Sequence, residues 1–364
     1  MRFDVVIVGG GPAGTATALA LRARDPAPSV AVVERSAYDR FRVGETLPPA
    51  VQPLLRRLGV WEAFQAEPHL AAHGTSAVWG GDEPHDNPFI FSPYGRGWHL
   101  DRRRFDEWLA RRAAAGGATL LTGTRIAGAV RRNEAWRLEA TGRDGVHRTL
   151  EASFVVDATG HRAAVAQRLG ARRTVVDRLL GVYLFFRLAD ESALRDTRAL
   201  IEAREEGWWY SALLPKGRLA VAFLTDADIA GGLALEDCER WTAHLAAAPH
   251  TRRRVEGARR WRGPTRYPAH SQRLDPVGGD GWLAAGDAAA VFDPLSGLGV
   301  LKALDSGVAA AGAALDHLSG DPSALPRYAA WVDDLWNRYL ATRASYYTRE
   351  GRWPEAPFWR RRRG

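Results

Sequence analysis

A short apolar run, Phe3 to Val8, stops at Gly9-Gly10-Gly11-Pro12-Ala13-Gly14 and gives way to an alanine-rich stretch from Thr15 to Arg24. A second apolar run, Val30 to Val33, ends on Glu34, twenty residues beyond Gly14. Nothing else in the chain limits its fold so tightly, because strand, glycine turn, helix, strand and terminal acid must all be in phase. Gly9 permits the tight turn, Gly11 lets a pyrophosphate approach bare backbone, and Gly14 lets helix and strand pack closely. The helix N-terminus, with Pro12 and Ala13 in the glycine turn, faces the phosphates, and Glu34 can accept both hydroxyls of an adenosine ribose. An acid there disfavours a 2′-phosphate, so the ligand is FAD or NAD.

The same logic returns in separated pieces. Phe154-Val155-Val156-Asp157 reads as a buried strand ending in the small-residue turn Ala158-Thr159-Gly160. Near the C-terminus, Gly281 to Ala290 contains Gly286-Asp287, followed by Pro294-Leu295-Ser296-Gly297-Leu298-Gly299-Val300 and a helix to about Leu318. Asp287 can hydrogen-bond a sugar-like chain, and the later glycines can present backbone donors. Residues 46–65 carry a prolyl helix start and apolar positions at helical spacing. Between 175 and 275 lie strand-rich patches, including Gly207–Pro215 and Arg218–Leu224, joined by Lys216-Gly217 as a hairpin. Trp331, Leu335, Trp336, Tyr339 and Leu340 form an aromatic stripe on a C-terminal helix, read as core.

Composition narrows the class. A mean hydropathy of −0.27 is ordinary for a soluble chain, and the sequence shows neither a membrane-length apolar stretch nor a secretory signal. Cys238 is the only cysteine, so no internal disulfide or multi-cysteine metal site is expected. Its acidic surroundings make it a poor nucleophile. His69, His73, His85 and His99 lack metal spacing and read as surface or core residues. The expectation is a cytoplasmic protein without a metal or an integral membrane segment. The net charge of +8 is carried almost wholly by arginine, with lysine only at Lys216 and Lys302. No nucleic-acid module accompanies it, and the terminal arginines 360–363 read as solvated.

Together, GGGPAG, Val43-Gly44-Glu45-Thr46-Leu47-Pro48-Pro49, the DATG at 157–160 and GDAAAVFDPLSGLG at 286–299 resemble the flavin-dependent monooxygenase and halogenase superfamily. That superfamily includes aromatic hydroxylases, tryptophan halogenases and geranylgeranyl-reductase-like proteins. The resemblance implies an α/β fold. A Rossmann-like FAD-binding domain of the aromatic-hydroxylase type would carry an inserted mixed or antiparallel β-sheet substrate domain and a helical C-terminus. The implied division is 1–75, 98–175 and 276–320 for FAD, 76–97 and 176–275 for substrate, and 321–364 as a helical segment with a basic tail. It places pyrophosphate near Gly11–Gly14, adenine and ribose near Glu34 and Arg35, and backbone contacts at Ala158 and Gly160. Asp287 would meet the ribityl–pyrophosphate region, and the isoalloxazine would lie beneath 294–300. Arg102, in an R-x-x-F-D motif that runs through Asp106 within a helix expected from Leu100 to Ala115, would reach the FAD phosphates.

Within the superfamily, halogenation implies a lysine some thirty residues beyond the GE-x-x-x-P segment and a W-x-W-x-I-P segment. This chain has no lysine before Lys216, and Gly207-Trp208-Trp209-Tyr210 is not that motif. Arginine is a poor substitute because it stays protonated. Hydroxylation through a flavin C4a-hydroperoxide is therefore the expected chemistry, with an indole or phenol as substrate. Halogenation and geranylgeranyl-reductase-like alkene reduction are the alternatives. The hydroxylase Asp-Gly fingerprint is replaced by Ala158-Thr159-Gly160-His161, so NAD(P)H and a separate flavin reductase both stay open as electron source. GETLPP, GWWYSALLP and DPLSG are also similar to flavoproteins of tryptophylquinone cofactor maturation, which keeps a tryptophan in a peptide or partner protein open as substrate. Tyr183, Phe185, Trp209, Tyr210 and Phe223 are the candidate pocket residues. Strand alternation sends about half of them to the core instead.

Overall fold

The computed structural model describes residues 1–189 and 196–363. Its first strand, Arg2–Val8, is buried from Val5 onward and pairs in parallel with Val30–Val33 on one side and His147–Asp157 on the other. Thr119–Leu121 and Trp282–Ala284 extend this parallel sheet at its two sides. Runs of β-branched residues buried on both faces suit such a sheet. The beginning of His147–Asp157 also pairs antiparallel with Ala135–Gly142, which pairs with Thr124–Arg132.

The helix Pro12–Arg22 follows the first strand directly. A β-carbon on Gly14 would lie 1.9 Å from the Gly9 carbonyl oxygen, so glycine there permits the close strand–helix approach. The same helix packs on Gly299–Leu318, where a β-carbon on Gly307 would meet the Ala13 carbonyl oxygen at 2.4 Å. The segment 46–65 is not one helix. It divides into a strand, Thr46–Leu47, and two short helices, Gln52–Arg57 and Trp61–Gln65. Prolines 48, 49 and 53 restart the chain, and Gly59, at φ +67°, closes the first short helix in the left-handed region.

A second, seven-stranded sheet runs in the order Arg259–Pro268, Leu179–Arg187, Arg218–Asp226, Gly207–Leu214, Ala199–Arg204, Gly74–Val78, His85–Pro88. Its pairings are antiparallel except between Ala199–Arg204 and Gly74–Val78, making it a mixed sheet. The turn between its third and fourth strands has three residues rather than the expected two, Pro215 preceding Lys216 and Gly217, which are both at positive φ. One face, with Tyr183, Phe185, Trp208 and Leu224, packs against Tyr347, Phe358 and Trp359. The other, with Val182, Trp209 and Phe223, packs on Trp241 and Leu245 from the helix Cys238–Leu245.

The C-terminal part comprises Ala324–Arg349 and the short helix Pro357–Arg360. Trp336 and Tyr339 of the aromatic stripe are buried against Phe292. The terminal arginines are not simply solvated. Arg362 is buried and ion-paired to Asp226 at 2.5 Å, while Arg361 reaches Asp226 and Asp228. Composition suggested a free basic end, but Asp226, at the end of the strand Arg218–Asp226, and Asp228 just beyond it draw it in. No helix among the described residues is long and apolar enough to cross a membrane.

Candidate functional site

The parallel strands end at a cavity of about 640 Å³, lined by Val8, Val33, Ala158 and Ala285 from their carboxyl ends. That is where open α/β sheets place ligands. Gly9, at φ +115°, turns the chain there, and a β-carbon on it would strike the Ala158 carbonyl oxygen at 2.1 Å. Gly11 is the opposite case. A β-carbon on it would find only the Arg42 guanidinium, at 3.9 Å, so its bare face opens into the cavity. The helix that begins at Pro12 has no side-chain cap, and its first backbone N–H groups remain for an anion.

Glu34 is buried beside this turn. Its Oε2 accepts from the Gly10 N–H at 2.8 Å, and its Oε1 accepts from Ser36 N and Arg42 Nη2 at 2.9 and 3.2 Å. Arg42 also donates to Asp106 Oδ2 at 2.6 Å, and Asp106 Oδ1 accepts from Arg102 Nε at 3.1 Å. Arg102 and Asp106 lie four residues apart on the helix Arg102–Ala115, hence on one face. The fully buried Asp106 thus fixes two arginines on the cavity wall. Replacing Glu34 with alanine is expected to weaken FAD binding by roughly 1–3 kcal/mol through lost ribose hydrogen bonds. Because Gly10 and Arg42 lose their anchor too, the melting temperature should also fall. An unchanged FAD titration would remove Glu34 from the adenosine site.

Across the groove, Asp157 holds the turn at 158–160 by accepting from the N–H groups of Thr159, Val165 and Ala166 at 2.8–2.9 Å. Gly160, Gly297 and Gly299 have open space where a β-carbon would sit. Pro294, Val300 and Asp287 line the same wall. Asp287 is bound by Lys302 Nζ at 2.6 Å, and that nitrogen also lies 4.7 Å from the Phe292 ring centre.

Most of the residues expected at a cofactor therefore converge here, including Pro12, Ala13, Arg35 and Arg102. Gly14, Gly286 and Leu298 do not line the cavity. The first two are packing glycines, with a β-carbon on Gly286 reaching Ala13 at 2.6 Å, while Leu298 is exposed. Of the five aromatic candidates, Tyr183 and Tyr210 line the far end of the cavity. Phe185 shares their face but is buried edge-on against Phe41, at 4.5 Å between centres. Trp209 and Phe223 point to the other face, 4.8 Å apart and beside Trp241. Sequence reading did not single out Arg42 or Tyr267, and it met Glu45 and Thr46 only within the GETLPP segment and Lys302 only as one of two lysines; all five line the cavity.

Uncapped helix start, open glycines, a buried acid and an arginine-lined groove at the carboxyl ends of the parallel strands fit an extended dinucleotide. The chain belongs to the FAD binding domain family, which matches residues 2–329. It is an FAD-dependent oxidoreductase. It is 29% identical over 367 residues to a protein of Marinomonas mediterranea that carries the name FAD-dependent oxidoreductase LodB, covering 99% of this chain and 96% of the relative. Tryptophan 2-halogenase of Chondromyces crocatus is 27% identical over 381 residues, covering 98% of this chain and 69% of that one. Among solved structures, the flavin-dependent halogenase CmlS superposes with a TM-score of 0.89 at 26% identity, covering 100% of this chain and 68% of its own. A peptidyl tryptophan dihydroxylase, QhpG, shares the fold with a TM-score of 0.80 at 24% identity, covering 100% and 79%.

Proposed function

We propose that this oxidoreductase inserts one oxygen atom of dioxygen into an electron-rich aromatic ring, an indole or a phenol. The observation that carries the reading is the continuity of one cavity from the dinucleotide groove to an end lined by Tyr183, Tyr210 and Tyr267. Reduced FAD, when bound, supplies the two electrons that activate dioxygen. The chain's own part is to hold FAD along Gly11, Arg102 and Gly160, to present the ring at the tyrosine end, and to keep bulk water away. On this reading 1–75, 98–175 and 276–320 serve FAD, and 76–97 with 176–275 serve the substrate. Electrons come from NAD(P)H or from a separate flavin reductase.

The missing halogenase lysine supports hydroxylation. Lys216 sits in a hairpin turn, and Lys302, though it lines the cavity, is engaged by Asp287. Halogenation is the second reading, favoured by the names of relatives such as the tryptophan 2-halogenase.

Supplying reduced FAD and isotopically labelled dioxygen with free indoles, phenols and tryptophan-containing peptides decides between them. Mass spectrometry is expected to find the label in an aromatic product. Label confined to peptides would mark a polypeptide substrate. Halide-dependent chlorination would replace the proposal by the second reading, and oxygen-independent alkene reduction would remove both.

A further inference from the structure

Phe292, Asp293, Pro294, Ser296, Gly297 and Gly299 form one continuous wall of the cavity. The shape of this wall is set at Asp293. Its Oδ1 accepts from the Leu295 N–H at 2.9 Å and starts the short 3-10 turn Pro294–Ser296. Gly297, at φ +63°, ends that turn in the left-handed region, just before the helix Gly299–Leu318. A single turn is not self-supporting, because one or two hydrogen bonds do not offset the entropy of fixing its residues. Its place depends on what packs behind it.

That support comes from the helix Ala324–Arg349. Tyr339, Arg343 and Tyr347 recur every four residues, so they share one face of it. The Tyr339 ring stacks on Phe292, with centres 4.0 Å apart and planes 2° apart. Its Oη accepts from the Asp293 N–H at 2.8 Å. Tyr347 Oη donates to Asp293 Oδ2 at 2.7 Å. Arg343 Nε lies 3.4 Å from the same oxygen, an ion-pair contact without a hydrogen bond, while its Nη2 donates to Asp177 at 3.0 Å. The Asp293 carboxylate is thus a bridge, with one oxygen bound to the turn and the other to the helix. Asp293 is 1% exposed and Tyr347 fully buried, so water does not compete for these bonds. Tyr347 Oη also accepts from Trp208 Nε1 at 3.1 Å, which ties the same hydroxyl to the seven-stranded sheet.

We propose that Tyr339, Arg343 and Tyr347 are positioning residues for FAD, acting through Asp293 to hold the wall against which the flavin-ring half of the cofactor lies. The family match ends at 329, so all three lie beyond it, and the C-terminal helix becomes part of the cofactor site. The inference requires FAD in the groove, with its adenosine toward Glu34 and its ring toward this wall. It does not require the hydroxylation reading. Removing a hydroxyl from the clasp leaves a buried carboxylate oxygen short of a donor, and the turn shifts to recover one. The backbone around the open glycines Gly297 and Gly299 shifts with it. The adenosine end stands on other elements, the helices Pro12–Arg22 and Arg102–Ala115, and does not feel the change.

The test titrates the apo-protein with FAD and separately with ADP, which carries the adenosine and pyrophosphate of FAD but lacks its ribityl chain and ring. Tyr347→Phe keeps the buried ring and removes only the hydroxyl. It is expected to weaken FAD binding at least about fivefold while ADP affinity stays within about twofold. The reduction potential of the bound flavin should shift too, because backbone dipoles beside the ring have moved. Asp293→Asn should give the same pattern. The double variant should bind FAD within about twofold of the weaker single variant, since both substitutions open one clasp. FAD and ADP affinities that fall together would mean a general loss of fold and would overturn the positioning role. An FAD affinity that stays at the wild-type value overturns it as well, and so do single effects that multiply in the double variant. Wild type that binds ADP but not FAD overturns the cofactor reading itself, a result none of the variants can mimic.

Discussion

Gly11→Asp yields a folded protein that no longer holds FAD. The backbone at Gly11 has φ −79°, a region open to any residue, and the nearest atom to an added β-carbon is 3.9 Å away. The fold therefore accepts the side chain, and its carboxylate projects into the groove where a pyrophosphate comes up to the helix N-terminus. Two like charges about 4 Å apart at an effective dielectric near 20 repel by roughly 4 kcal/mol, about a thousandfold in affinity. Arg42, close enough to pair with the new aspartate, offsets part of this while withdrawing from Glu34 and Asp106. The measurement is the flavin absorbance near ~450 nm retained after gel filtration, alongside the melting temperature. Gly14→Ala is the contrasting control, because its β-carbon would lie 1.9 Å from a backbone oxygen, so fold and FAD should be lost together. A Gly11→Asp protein as yellow as wild type would mean that the phosphates run elsewhere.

That contrast shows what could be read from the chain alone. The glycine turn, the acid twenty residues on and the DATG strand are local patterns whose physical demands are met within a few residues. The superfamily and the mixed fold were legible for that reason, and so was the convergence of residues near 9–14, 34, 158–160 and 287–300. Residues whose role depends on distant partners were not. Arg42 matters because Glu34 lies eight residues before it and Asp106 lies 64 after it. Asp293 was visible in the GDAAAVFDPLSGLG segment, but Tyr339 and Tyr347, which grip it, lie 46 and 54 residues further on, a packing that no spacing reveals. Strand parity correctly warned that aromatic residues would divide between two faces, and Trp209 and Phe223 fall on the face away from the cavity. It could not say which parity, since that depends on which helices cover the sheet.

The basic tail gives the largest expected effect on stability. Asp226→Asn should destabilise the protein by about 3–5 kcal/mol, because removing one partner of a buried pair strands the other's charge. The side chains of Arg362 and Asp226 are 1% and 3% exposed, and the guanidinium also lies 3.7 Å from the centre of the Phe358 ring. Arg361, more exposed, can shift toward Asp228, but Arg362 has no other carboxylate within ion-pair distance among the described residues. Burial alone would raise the Asp226 carboxyl, yet Arg362 and Arg361 outweigh it and hold the pKa below its ordinary value. With a depressed folded pKa, the stabilisation is present above the unfolded value of roughly 3.9 and is lost as pH falls below it. Urea midpoints of wild type and Asp226→Asn should accordingly differ most at pH 7 and converge in acid. Adding Arg362→Met to Asp226→Asn removes the stranded charge and is expected to recover more than half of the loss. If the single variant keeps the wild-type midpoint at pH 7, the pair does not hold the tail, and the packing of Phe358 and Trp359 on the sheet must do so instead.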